Sequence, residues 1–65
     1  VELAIRDFKK AIELDPKLAD AHHWLGIALR KANKNAEARA AFQSALKLNP
    51  ARIWTKQQLE KTPQQ

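Results

Sequence analysis

Few side chains in this sequence could do metal or catalytic chemistry, and their spacing favours neither. His22 and His23 are adjacent. Neighbours on a helix point about 100° apart, so the pair cannot easily chelate one ion. Asp20, three residues before His23, is the one further ligand nearby. We therefore predict no metal site, with His22 half-buried in packing and His23 facing solvent or a groove.

Enzymatic chemistry is not predicted either. Ser44 is the only serine, and it lies in helix-type sequence with no base at a suitable spacing. The chain has no glycine-rich phosphate loop and no Gly-x-Ser-x-Gly nucleophile motif. Glu13 and Asp15 flank an expected helix end, where solvated carboxylates are usual. The chain is expected to be non-enzymatic and to need no cofactor.

The charge balance raises the question of an anionic partner. Twelve Lys and Arg against seven Asp and Glu give a net charge of +5, and basic chains can bind nucleic acid or acidic proteins. The densest cluster is Arg30, Lys31 and Lys34, which we interpret as cations near the negative end of a helix dipole. RNA-binding helical repeats remain the alternative, but the stacking aromatics that RNA recognition uses are scarce.

The elements that would position these residues are helices. Apolar residues spaced by three and four predict a helix over 1–14 and others over about 18–32, 35–48 and 51–61. Asp15-Pro16 and Asn49-Pro50 are expected helix ends, because the residue before proline disfavours the α conformation. Asn33, which tolerates a left-handed backbone, is the expected end of the second helix.

Two further expectations concern the whole chain. No stretch of about 18 apolar residues is present, so no membrane segment is predicted. The chain opens on Val1, inside helix-type sequence. We therefore interpret it as part of a longer protein.

The sequence repeats itself with a period of 34 residues. The matching pairs are Ala4 and Ala38, Phe8 and Phe42, Ala11 and Ala45, Leu14 and Leu48, Pro16 and Pro50, and Leu25 and Leu59. A helical period of this length constrains several residue types at once and indicates stacked pairs of helices.

With this period the sequence resembles the tetratricopeptide repeat family. The residues that carry the resemblance are Leu25, Gly26, Leu29, Ala38, Phe42, Ala45 and Pro50. It implies an all-α fold of antiparallel helix-turn-helix repeats with about four helices. Residues 1–18 would be the second half of one repeat, 19–52 a complete repeat, and 53–65 a capping helix with a frayed tail. His22 at the usual Trp position and Asn33 at the usual turn Gly depart from the family pattern.

Gly26 is the only glycine, and in mid-helix it costs about 1 kcal/mol relative to Ala. A close helix approach, which a larger residue would obstruct, offsets that cost. We expect the approach to be made by Gly26 together with Ala38.

The resemblance implies a non-enzymatic scaffold that binds a peptide or partner helix on a concave face. The residues predicted to line that face are Asp20, His23, Ile27, Arg30 and Lys31. Some relatives grip a chaperone's terminal carboxylate with Lys and Asn, but His23 and Ile27 occupy those positions, so that clamp is not predicted. A basic RNA-binding module is the alternative function.

Two further expectations concern packing. Trp54 is predicted to pack, with Ile53 and Leu59, against the 35–48 helix, the alternative being an exposed binding anchor. The helix over 1–14 is predicted to leave one apolar side uncovered and to drive formation of a homodimer. A monomer kept soluble by basic residues of that helix is the alternative; these are Arg6, Lys9 and Lys10.

Overall fold

The computed structural model describes residues 2–63, which form four α-helices and no strand. The helices are α1 (Glu2–Leu14), α2 (Ala19–Lys31), α3 (Asn35–Leu48) and α4 (Ile53–Lys61). The all-α prediction with about four helices is confirmed. Helix α4 begins later than predicted, because the preceding turn extends to Arg52, whose N–H bonds the Asn49 carbonyl at 3.2 Å.

The two proline turns have the same local construction. The Asp15 carboxylate accepts a hydrogen bond from the Lys17 N–H at 3.2 Å, and the Asn49 side-chain oxygen accepts one from the Ala51 N–H at 3.3 Å. Such Asx contacts replace backbone bonds in a turn. Because the two turns lie one repeat period apart, the repeat extends to the geometry of its connections.

The turn between α2 and α3 depends on one left-handed residue. Asn33 has φ 63°, and its N–H bonds the Arg30 carbonyl at 3.0 Å. The next N–H, of Lys34, bonds the Leu29 carbonyl at 2.8 Å. These two bonds form a Schellman motif, in which the left-handed position usually holds glycine. The prediction that α2 ends at Asn33 is confirmed.

The core lies where α3 packs on α2, and Phe42 is its largest fully buried side chain. A Cβ added at Gly26 would lie 2.6 Å from Cε1 of the Phe42 ring, too close for any real side chain. The close approach predicted at Gly26 is therefore confirmed. Its nearest neighbour is Phe42, however, and not Ala38 as expected.

Helix α1 is covered less completely than its repeat equivalent α3. Ala38, Phe42 and Ala45 of α3 are fully buried. The matching residues of α1 are only half-buried; they are Ala4, Phe8 and Ala11. One side of α1 contacts α2. The side of α1 that is equivalent to the buried apolar side of α3 remains partly exposed.

Helix α4 faces the core with residues other than those predicted. Thr55 and Leu59 point inward. Ile53 and Trp54 are 71% and 67% exposed, so the prediction that they pack against α3 is wrong. The physical reason is that Thr55 meets a polar partner on α2, and Trp54, about 100° away on the helix, turns outward.

One arginine of α3, Arg39, forms hydrogen bonds to the end of α4. Nη1 of Arg39 donates to the carbonyls of Leu59 at 3.2 Å and Thr62 at 3.0 Å. The Thr62 hydroxyl donates to the Gln58 carbonyl at 2.7 Å. Carbonyls at a helix end lack partners within the helix. The cation therefore both caps α4 and holds it in place.

Candidate functional site

The five residues predicted to bind a partner separate into two groups. Asp20, His23 and Arg30 contact α4 or the segment just before it. Ile27 and Lys31 line a cleft between α1 and α2. The structure therefore brings three of the five to an internal contact and leaves two at an open surface.

His23 lies under α4 and is only 2% exposed. Its Nδ1 is 2.9 Å from Oγ1 of Thr55. The prediction that His23 faces solvent or a groove is therefore wrong. The sequence places His23 on the correct side of α2, but α4 runs alongside that side and covers it.

Arg52 completes the contact around His23. It forms an ion pair with Asp20, and its Nε donates to Oγ1 of Thr55 at 3.2 Å. Because Oγ1 accepts that bond, the hydroxyl hydrogen of Thr55 is available to donate to a neutral imidazole. Burial lowers the pKa of His23, the nearby Arg52 lowers it further, and Asp20 partly opposes both. The neutral, accepting form of His23 therefore fits this site.

A third link joins the same two helices. Nη1 of Arg30 donates to Oε1 of Gln58 at 2.6 Å. Together with the His23 and Asp20 contacts, it places three polar links between α2 and the α4 region. Asp20, His23 and Arg30 therefore contact α4, or the residue just before it, within the same chain.

The cleft between α1 and α2 has a volume of about 310 Å³, at the lower end of the range of small-molecule sites. Its walls are apolar except for one cation at the edge. The lining residues are Ala4, Phe8, Trp24, Ile27, Ala28 and Lys31. A ligand with an apolar side chain and a neighbouring negative charge would suit this apolar lining and its single cation.

A second cleft lies on the other side of α2, between α1 and α3, and has a volume of about 370 Å³. The α1–α2 cleft, at about 310 Å³, is the smaller of the two. The larger cleft contains Lys9 and Glu37, charges of opposite sign, and no tryptophan. None of the five predicted partner-binding residues lines it, so we take the α1–α2 cleft as the candidate site.

Two tryptophans that sequence reasoning did not assign to the site lie next to it. Trp24 lines the α1–α2 cleft and is 45% exposed. The His23 ring lies edge-on to Trp24, with centroids 5.2 Å apart, and nearly parallel to Trp54 at 6.4 Å. These three rings form an aromatic row across α2 and α4, and its two outer members are open to solvent.

The sequence contained a signal for both tryptophans. Trp24 lies three residues before Ile27, a spacing that places both on one side of a helix. Trp54 stands one repeat period after Asp20, which predicts a position on the same face. The prediction that Trp54 packs against the 35–48 helix did not use this repeat equivalence.

Residues 2–63 lack two other kinds of feature. Within that range no three His, Asp or Glu side chains lie close enough together to hold a metal ion. The helices of the same range are too short and too polar to cross a membrane.

The burial of His23, with the charge of Arg52 nearby, predicts a pH dependence of stability. The pKa of His23 is lowered from 6.5 in the folded chain, so the unfolded chain binds more protons between the two pKa values. The free energy of unfolding should be highest above about pH 6.5 and fall as the pH drops through the folded-state pKa. Urea denaturation at a series of pH values measures this change.

The variant His23→Leu tests this assignment. In His23→Leu the loss of stability between about pH 7.5 and about pH 5.5 should shrink. An unchanged pH dependence in His23→Leu would contradict the assignment.

Comparison with known families agrees with this geometry. A family model described as "TPR repeat" matches residues 1–31, and one described as "Tetratricopeptide repeat" matches residues 19–52. The second match includes Gly26, Phe42 and the Asn33 turn between them. Comparisons with curated proteins and with solved structures gave no match. The matched helices, their period and their turns show that the chain belongs to the tetratricopeptide repeat family.

Proposed function

We propose that the chain is a non-enzymatic scaffold that binds a peptide or helix of a partner protein at the α1–α2 cleft and the aromatic row. Repeats of this family generally mediate protein–protein interaction. Of the residues predicted from the sequence, Ile27 and Lys31 belong to the contact surface, together with Trp24 and Trp54. Asp20, His23 and Arg30 support it by holding α4.

The observation that carries this proposal is the exposure of two tryptophans, of which Trp24 lines the apolar cleft and Trp54 stacks on the far side of His23. Trp is enriched among the residues that dominate binding energy, and large apolar side chains left in water mark interaction surfaces. Trp24 and Trp54 lie on the two helices that the repeat register assigns to the binding face. A partner would remove both rings from water.

The test is a selection of binding peptides against the whole chain, followed by measurement of their affinity for two matched variants. Ile27→Asp should weaken binding at least tenfold, because it places a carboxylate in the apolar cleft. Ile53→Asp, the same substitution at an exposed position outside the cleft, should leave affinity unchanged. Equal loss in both variants, with both folded by circular dichroism, would place binding elsewhere.

We also propose that two copies of the chain associate through the open side of α1. Phe8, which also lines the α1–α2 cleft, is half-buried, whereas its repeat equivalent Phe42 is fully buried. Burial of apolar area contributes about 25 cal/mol per Å², which favours covering this side with a second copy. Lys9 and Lys10 on the same helix are exposed and oppose association by charge repulsion.

Sedimentation at tens of micromolar distinguishes the two outcomes. We expect a dimer, which Phe8→Glu should dissociate and Lys56→Glu, on α4, should not. A single species at the monomer mass of 7.4 kDa would refute the association.

A further inference from the structure

We infer that the partner segment is acidic and carries a large apolar side chain, which enters the α1–α2 cleft beside Trp24 while its carboxylates lie near Arg30, Lys31 and Lys61. This inference rests on the proposed function and adds the chemistry of the partner. It follows from which charges on the binding face remain uncompensated and from the shape of the cleft.

The negative charge of this face is already neutralised. Asp20 is the one acidic residue among the five predicted positions, and Arg52 forms an ion pair with it. That is the only salt bridge found within residues 2–63. The lining of the α1–α2 cleft includes no acidic residue. A partner therefore meets no repulsion if it brings carboxylates.

The positive charges of the face remain available. Lys31 is exposed at the edge of the cleft. Arg30 donates to the neutral Gln58 and keeps its full charge. Lys61 is exposed and stands one repeat period after Ile27, at the equivalent place on α4. Lys31 thus lies at the edge of an apolar cleft, with Arg30 next to it in the chain and Lys61 one repeat period after the cleft residue Ile27. Complementary charge steers and selects binding partners.

The lining and volume of the α1–α2 cleft determine which apolar side chain of the ligand can enter it. The half-buried Phe8 and Ile27 line it together with the half-exposed Trp24 ring. With about 310 Å³ of space, it receives one large apolar side chain. Acidic residues on either side of that anchor come within reach of Lys31.

A single-stranded RNA would also find cations and aromatic rings here. The structure favours the peptide because the middle ring of the aromatic row, His23, is buried and cannot receive a base. Besides Phe8 and Trp24, the cleft is lined by aliphatic side chains, which suit an apolar anchor better than a stacked base. RNA binding is therefore an outcome of the experiment and not the proposal.

The experiment selects random dodecapeptides displayed on phage against the immobilised chain and measures the affinity of the enriched peptides by fluorescence anisotropy. We expect Asp and Glu around a Leu, Phe or Trp. Trp24→Ala should weaken binding about thirtyfold, and Lys31→Glu about threefold to tenfold. The controls are Leu48→Ala, which removes a side chain of similar exposure, and Lys47→Glu, which reverses a lysine in the last turn of α3.

The outcomes separate the two proposals. Peptides that depend on Trp24 but contain no excess of acidic residues, or that ignore Lys31→Glu, overturn the inference and leave the proposed function standing. If no enriched peptide depends on Trp24, both are overturned. An oligouridylate that binds more tightly than the peptides, with affinity falling steeply as salt is added, also overturns both.

Discussion

Phe42→Ala is expected to remove most of the stability of the chain. Phe42 has no exposed surface, and its ring lies against Gly26. Truncating a buried Phe costs about 3–5 kcal/mol, whereas a domain of this size has a free energy of unfolding of about 3–10 kcal/mol. Urea denaturation followed by circular dichroism should show a much lower midpoint, or a variant that is unfolded without urea.

The internal repeat provides a matched control. Phe8 occupies the same repeat position on α1 but is only half-buried, so Phe8→Ala should cost about 1–2 kcal/mol. Equal losses in the two variants at low protein concentration would contradict the difference in burial. A loss in Phe8→Ala that grows with protein concentration would instead indicate that a second copy covers this residue.

The helices and their turns could be predicted because local rules determine them. The spacing of apolar residues places α1 to α3, and Asp15-Pro16 ends α1. Asn33 could be assigned because few residues tolerate a left-handed backbone at a helix end. The repeat then relates Phe42 to Phe8 without any knowledge of the fold. Each of these predictions depends on residues close in sequence or on one fixed period.

The orientation of α4 could not be predicted in the same way. Hydrophobicity alone would bury Trp54 and expose Thr55, and the structure does the reverse. Burial of Thr55 is favourable only because its hydroxyl contacts His23 and Arg52, and His23 lies on α2, far away in the sequence. The same contact hides His23 from a partner. The error in the candidate site and the error in α4 therefore have one cause.

Gly26 presents the opposite case, in which a local rule is overridden by packing. Alanine is more favourable than glycine in mid-helix by about 1 kcal/mol, so Gly26→Ala would stabilise an isolated α2. In the folded chain the new Cβ would lie 2.6, 2.7 and 2.9 Å from three atoms of the Phe42 ring. Overpacking of this kind typically costs about 1–3 kcal/mol. We expect Gly26→Ala to destabilise the chain by up to about 2 kcal/mol, the difference between these two effects.

A double-mutant cycle with Phe42→Leu tests this explanation. Leucine lacks the ring atoms Cε1 and Cζ, which account for two of the three short contacts, and it retains apolar volume in the core. In the Phe42→Leu background Gly26→Ala should become neutral or stabilising by up to about 1 kcal/mol. The coupling energy between the two positions should then be about 1–3 kcal/mol, as for residues in direct contact. Urea denaturation of the four proteins measures it. If Gly26→Ala costs the same in both backgrounds, the ring of Phe42 is not what requires glycine at this position, and the close approach must be attributed to the helix backbones.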